Sequence, residues 1–237
     1  LLDGELLQPH HIQHIGYLPE ERGLYKSMKV GEQCLYLAQL KGLSKQEAKK
    51  QLDYWFDKLG IQGWWNKKIE ELSKGMAQKV QFVVTVLHKP KLLIFDEPFS
   101  GFDPINANML KDEILAIKAR GTTVLFSTHR MESVEELCDE IALINHAQVV
   151  LSGNKDEVQN RYKKNQFSIR FEGELLAIPG IEIVSHESTG HAILRFSEGM
   201  GTNEAIALLI QHIRLLEFKE VIPSFNDIFI QVVSETN

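Results

Sequence analysis

The residues best suited to chemistry are Asp96 and Glu97, which close the apolar run Leu92-Leu93-Ile94-Phe95 just before Pro98. Two adjacent carboxylates repel one another, and a divalent cation with a water beside it is the arrangement that gives both a task. In that division Asp96 holds Mg²⁺ through its hydration shell, while Glu97 orients or deprotonates an attacking water. Upstream, Leu72-Ser73-Lys74-Gly75-Met76 opens a helical pattern. Ser73 is a natural N-cap there, and Gly75 leaves backbone amides and the positive helix end open to an anion. Downstream, Ser127-Thr128-His129 ends a second apolar run with an imidazole. Taken alone, each group has an ordinary structural counterpart: solvated acids at a strand end, a capped helix start, a hydrogen-bonded histidine.

The elements that must position these groups alternate in kind. From Val30 to about Leu59 apolar residues recur at helical spacing, broken at Lys41-Gly42-Leu43, and Ser44 with Glu47 forms a capping box for the second helix. A third helix runs from near Ser73 through Val80, Val83, Val84 and Leu87 until Lys89-Pro90 ends it. Leu92 to Phe95 is too short for a helix and apolar on both faces, so it reads as a buried parallel strand. After a helical Ala107 to Arg120, Thr122 to Phe126 reads as a second one. Met131 to Cys138 then reads as a helix, with strands at Glu140 to Asn145 and Ala147 to Leu151. This is the pattern of an α/β layer fold, whose ligands collect at the carboxyl ends of the strands, where Asp96, Glu97 and His129 all fall.

The polar segment Asp156 to Gln166 separates a different pattern, and a domain boundary is placed near Asn165. Beyond it come a strand (Phe167 to Phe171), a short helix or turn (Glu174 to Ile178) and a hairpin (Ile181 to Phe196) turning at Ser188-Thr189-Gly190. An amphipathic helix (Asn203 to Arg214), a strand (Leu215 to Ile222) and a terminal helix opened by Pro223-Ser224 complete a βαββαβ order, that of a small ferredoxin-like module.

Composition bounds the function. The chain has 237 residues, enough for one or two domains, with 32 acidic and 26 basic side chains and a net charge of −6. At 43% hydrophobic and 24% charged the composition excludes disorder as the main state, and the acidic balance argues against a sequence-wide nucleic-acid surface. Cys34 and Cys138 are far apart and read as small buried hydrophobes in a reducing compartment. No apolar run approaches the roughly 18 residues that span a bilayer. The start, Leu1-Leu2-Asp3-Gly4, is no secretory signal and reads as a chain cut from something longer. His10, His11 and His14 have no carboxylate or cysteine at a familiar metal-ligand spacing and read as a solvated loop. Trp64-Trp65 marks either a partner surface or packing against the helix after Ser73.

In order, Leu72–Met76, Asp96-Glu97, Ser100-Gly101-Phe102-Asp103 and Ser127-Thr128-His129 resemble the signature motif, Walker B, D-loop and H-loop of ATP-binding cassette (ABC) ATPases. The resemblance covers about Leu1 to Asn165. Asp3-Gly4 resembles the turn of the early β-subdomain hairpin, and Gly16-Tyr17-Leu18-Pro19 resembles the approach to the Q-loop, which puts Glu20 where a metal-binding glutamine is usual. The resemblance implies two cassettes with ATP and Mg²⁺ sandwiched between them. Ser73 and Gly75 would serve a neighbouring protomer's γ-phosphate. Asp96 would hold the metal, Glu97 and His129 would act on the attacking water and γ-phosphate, and Asp103 would communicate across the dimer. Lys74 and Met76 depart from the commoner glycine and glutamine. No G-x-x-x-x-G-K-[ST] phosphate loop exists in these 237 residues. In the family it lies shortly before the region where this chain begins. The close Pro223-Ser224-Phe225-Asn226-Asp227-Ile228-Phe229 resembles the P-S-L-E-D-I-F ending of an accessory domain in some export-type and sodium- or drug-extrusion ATPases, with a regulatory, dimer-contact or purely structural role.

The implied fold is α/β: a truncated P-loop-type ABC cassette over residues 1–165, with a helical subdomain at about 28–75. A small α+β ferredoxin-like module follows over 166–237. The implied function is the ATPase subunit of an ABC transporter, powering export through a transmembrane permease subunit from the cytoplasmic face of the membrane. No nucleic-acid partner is expected, and the chain by itself is expected not to hydrolyse ATP. Two alternatives stay open: a soluble ABC ATPase acting on ribosomes or DNA, and a catalytically dead interaction module.

Overall fold

A computed structural model describes residues 1–21, 23–187 and 190–236, which form two compact units, one ending at Arg130 and the other starting at Met131. In the first unit β1 (Ile15–Leu18), β2 (Leu92–Asp96) and β3 (Thr123–Ser127) pair in parallel in the order β1-β2-β3, with Leu18 opposite Phe95 and Asp96 opposite Ser127. Leu93 and Phe95 of the middle strand are buried, as an apolar run in a parallel sheet should be. The outer strand departs from expectation. Tyr17, Ile94 and Leu125 stand in register on one face, where Tyr17 is 55% and Leu125 60% exposed. Among the described residues β3 is the last strand of this sheet, and along it exposed residues alternate with half-buried ones, where the sequence of Thr122 to Phe126 predicts a buried strand.

Three helices follow β1 and precede β2 as expected. α1 (Val30–Leu40) and α2 (Lys45–Lys58) are joined through Gly42, whose φ of +90° suits the turn. Ser44 Oγ accepts the Glu47 amide at 3.2 Å while the Glu47 carboxylate accepts the Ser44 amide at 3.0 Å, closing the capping box. α3 (Lys74–Val86) starts at its Ser73 cap and buries Val80, Phe82, Val83 and Val86. Trp65 packs on Gly31, where a Cβ would lie 2.3 Å from the indole, and meets the Phe56 ring at 5.6 Å. Trp55 reaches α3, edge-on to Phe82 at 5.8 Å. α4 (Pro104–Ala119) begins three residues before Ala107, because Asp103 caps it and Pro104 takes its first position. Leu2 and Glu5 bridge antiparallel across Asp3-Gly4, both with positive φ, which is a tight hairpin turn.

In the second unit α5 (Met131–Leu137) is followed by a hairpin, β4 (Glu140–Asn145) and β5 (Gln148–Asn154), turning at His146-Ala147. The polar separator is largely α6 (Lys155–Arg161), started by the Asn154 side chain, which accepts the Asp156 and Glu157 amides. β6 (Gln166–Glu172), β7 (Ile181–Glu187), β8 (His191–Phe196) and β9 (Arg214–Glu220) form an antiparallel sheet ordered β7-β8-β6-β9. This is the ferredoxin-like strand order, with an irregular connection at 173–180 in place of the first helix. Ser188 and Thr189 of the hairpin turn lie outside the described residues. One face is sealed by α7 (Thr202–Leu209), shorter than the expected 203–214, over a core of Phe167, Ile169, Leu194 and Phe196. The last helix, α8 (Phe225–Thr236), joins a different core: Phe225, Ile228 and Val232 pack with Ile141, Leu143, Leu151 and Val158. The division at Arg130 and Met131 therefore differs from the sequence boundary near Asn165, because α8 returns to cover the hairpin that precedes that boundary. Cys34 is buried, and burial pushes its thiol up to about 12, whereas Cys138 is only half-buried.

His88 follows α3 with its ring against Ile15 O at 3.3 Å, an oxygen that also accepts from Lys41 Nζ at 2.8 Å. Burial, reinforced by the Lys41 charge, lowers its pKa from 6.5 to about 4. The unfolded imidazole binds a proton below about 6.5 and the folded one only near 4, so the unfolded state takes up protons first. Stability should fall by up to ~3 kcal/mol as pH drops through that interval. In urea titrations between pH 7 and 5, His88→Gln should flatten this slope; an unchanged slope would remove His88 as its source.

Candidate functional site at the carboxyl edge of the sheet

The parallel register carries the chemistry-bearing residues to one edge. Asp96 ends β2 opposite Ser127, whose hydroxyl donates to Asp96 Oδ1. Glu97 then turns with φ +46°, a left-handed conformation uncommon for a side-chain-bearing residue, and its amide donates to Ser127 O at 3.1 Å. This turn swings the carboxylate across to the end of β3. Glu97 Oε1 accepts the His129 backbone amide at 2.8 Å and lies 2.7 Å from His129 Nδ1, while Thr128 Oγ1 donates to Oε2 at 3.3 Å. The Glu97 side chain is 15% exposed and the His129 ring 78%. The acid is thus held by donors at the floor of the edge, and the imidazole stands in solvent. A carboxylate facing Nδ1 favours the Nδ1–H tautomer and leaves Nε2 as an outward acceptor. Glu20, two residues past the end of β1, is exposed at the same edge.

The helix-start motif lies apart from these groups and touches the loop after β2. Ser73 is exposed, its hydroxyl accepting the Met76 amide at 3.3 Å. Gly75 has room for a side chain, since an added Cβ would stand 3.5 Å from Gly101 O, an ordinary contact. Packing within this chain does not demand glycine there. Lys74 lays its stem over Gly101, and its Nζ reaches Ser100 Oγ at 3.4 Å. Asp103 is spent on local structure: its Oδ1 accepts the Asn106 amide at 3.0 Å and its other oxygen accepts the Asn106 side chain. The Asn106 side chain and then its backbone hold the Asp103 pKa below the usual value.

Beside the His129 ring, the edge offers carboxylate and hydroxyl oxygens. With Oδ1 taken by Ser127, Asp96 Oδ2 has no hydrogen bond among the described residues. An exposed carboxylate oxygen beside a hydroxyl suits a hydrated Mg²⁺. The expectation for the N-terminal histidines changes in part. His11 is buried in a short 3₁₀ turn (Pro9–His14), and Glu5, remote in spacing from the familiar motifs, comes within 3.6 Å of its Nε2. The Gln8 amide donates to His11 Nδ1 at 2.9 Å, which leaves the proton on Nε2 facing Glu5. Glu5, His10 and His11 thus bring their ligand atoms within 4.8 Å of one another.

Comparison with known proteins decides the family. The profile described as "ABC transporter" matches residues 2–100, and that of the "ATP-binding protein DrrA1-3-like, C-terminal domain" matches 153–233. Over 229 residues the chain is 43% identical to the uncharacterized ABC transporter ATP-binding protein YhaQ of Bacillus subtilis, covering 94% of this chain and 76% of that protein. The chain is an ABC transporter ATP-binding protein. Another uncharacterized member, from Alkalihalophilus pseudofirmus, is 38% identical, covering 97% of this chain and 87% of its own length. The linearmycin resistance ATP-binding protein LnrL of B. subtilis is 28% identical, with coverage of 94% and 76%. A solved ATP-binding subunit of an ABC transporter superposes with a TM-score of 0.60 at 30% identity, over 63% of this chain and 62% of that one.

In this ABC protein the edge unites Asp96, Glu97 and His129, with Ser127 and Thr128 as hydrogen-bond partners that sequence reasoning named but gave no task. The signal for them was available: in parallel strands of equal register, the residue opposite a terminal acid is the next candidate to bond it. Lys74, read only as a departure from glycine, reaches from the start of α3 to the loop after β2. Gly101 is needed there for its φ of +81°. Gly101→Ala should lower stability by about 1–2 kcal/mol through the left-handed backbone alone. A guanidinium titration should show a lower midpoint at unchanged slope; an unchanged midpoint would mean that the loop relaxes freely.

Proposed function

We propose that the chain is the greater part of the ATP-hydrolysing subunit of an ABC exporter, acting with a transmembrane permease on the cytoplasmic face of the membrane. The observation that carries this reading is the hydrogen-bonded group of Asp96, Glu97 and His129 at the open edge of a parallel sheet. The names of the relatives support transport, and the linearmycin resistance and DrrA-like likenesses support export. No helix among the described residues is long and apolar enough to cross a membrane. We assign the cassette to residues 1–165, its helical subdomain to about 28–75 and the accessory module to 166–237, with a regulatory or dimer-contact role for the last.

In this mechanism Asp96 and Glu20 would hold a hydrated Mg²⁺, and the chemistry it would supply is neutralisation of charge on the ATP phosphates. Glu97 accepts the proton of the attacking water, and its hydrogen bonds to the His129 and Thr128 loop fix where that water stands. His129, with Nδ1 engaged by Glu97, presents Nε2 as an acceptor to the attacking water, and as the imidazolium, with both nitrogens protonated, it donates to the γ-phosphate. Ser73 and Gly75 serve the nucleotide of a second cassette, which accounts for an exposed motif and a glycine that its own chain does not require. Asp103 links the two halves through the start of α4.

A phosphate loop must be supplied for turnover, so the 237-residue chain should show no sustained Mg-dependent ATP hydrolysis; measurable turnover by the purified chain contradicts this. In the gene product that carries the loop, Glu97→Gln should lower kcat by at least about 10²-fold while ATP stays bound and a dimer accumulates. A normal rate in that variant, read by phosphate release, would take Glu97 out of the role.

A further inference from the structure

Gln81 lies in the middle of α3, 4% exposed, on the face of the helix that packs against β1. Its Nε2 donates to Pro19 O at 3.2 Å and to Glu21 O at 3.4 Å, the carbonyls on either side of Glu20. Its Oε1 has no partner among the described residues. A buried amide with an orphaned acceptor costs more than a leucine or methionine of similar size. The two carbonyls also fix which way the amide faces, since the reversed amide would set oxygen against oxygen. What glutamine contributes at this position is therefore its donation to the loop.

The next turn of the helix strengthens the same attachment. Thr85 Oγ1 lies 2.8 Å from Gln81 O and 3.4 Å from Tyr17 O. Gly16 brings β1 so close that a Cβ there would stand 2.5 Å from Thr85 O. β1 and the loop after it are thus tied to α3 at successive points, and Gln81 holds the last of them. Ser73 caps the same helix eight residues earlier, about 12 Å along its axis.

We infer that Gln81 is a positioning residue for Glu20: by clamping the carbonyls of Pro19 and Glu21 it fixes the acid at the sheet edge and ties it to the helix that carries the signature motif. The clamp is independent of the nucleotide chemistry; only the consequence for metal binding rests on the function proposed above.

The test uses the 237-residue chain and a glutamate-specific protease, which cuts after Glu20 and Glu21 only when the loop leaves its seat. Two variants remove the donor and keep an apolar side chain of similar size: Gln81→Met and Gln81→Leu. Each should speed cleavage at Glu20 and Glu21 by roughly five- to tenfold while cleavage after Glu71 and Glu182 stays at the parent rate. Cleavage at all four sites accelerating together would make Gln81 a packing residue, and unchanged cleavage at Glu20 and Glu21 would mean that no clamp exists; either result overturns the proposal. If the clamp is seen and the complete gene product still hydrolyses no ATP, the function is wrong and the clamp stands.

Discussion

The left-handed turn at Glu97 is the constraint on which the site depends. A strand ending in two acids would ordinarily send them to opposite faces, since side chains alternate along a strand. With φ at +46°, Glu97 leaves the strand and reaches the end of the neighbouring one, where two loop donors and the His129 ring meet it. The conformation costs about 1–2 kcal/mol for a residue with a Cβ. Charge-assisted hydrogen bonds to the carboxylate are of the size needed to offset it. The strain and the site are thus parts of one arrangement: β2 supplies the acid, β3 supplies the donors, and their parallel register places both at the same height.

Much of this was legible before any coordinates, for identifiable reasons. The Ser44–Glu47 box, the Ser73 cap and the stop at Lys89-Pro90 are local chemistry, so the helices they bound fall nearly where the residues indicate. The short apolar run before Asp96 reads as a buried strand, and the carboxyl-edge rule then points to the candidate site. Less legible was what depends on neighbours distant in sequence. Thr122 to Phe126 has the composition of a core strand, yet its burial is set by what lies beside it, and among the described residues it is the last strand of its sheet. Asp103 was named for a task across a dimer, while its capping of α4, signalled by the proline after it, went unused.

The second unit shows the same limit at a larger scale. A polar stretch between two patterns is a natural place to divide a chain, and residues 156–166 are polar. They are nonetheless mostly helix, because Asn154 caps them and Val158 is buried in the hairpin core. α8 joins that core from the far end of the chain. The terminal Pro223-to-Phe229 segment is therefore a packing element: Ser224 and Asp227 cap its helix, and Phe225 and Ile228 fill the space over β4 and β5. Sequence order separates what packing unites, so the boundary of pattern and the boundary of packing differ.

The account stands most directly on the pairing of Glu97 with His129, which ¹⁵N NMR of the histidine side chains reads without reference to turnover. At a pH where the ring is neutral, His129 should be the Nδ1–H tautomer, with that proton hydrogen-bonded, and Glu97→Ala should return it to the tautomer mixture of a free imidazole. A His129 ring carrying its proton on Nε2, indifferent to the loss of the Glu97 carboxylate, would contradict the account.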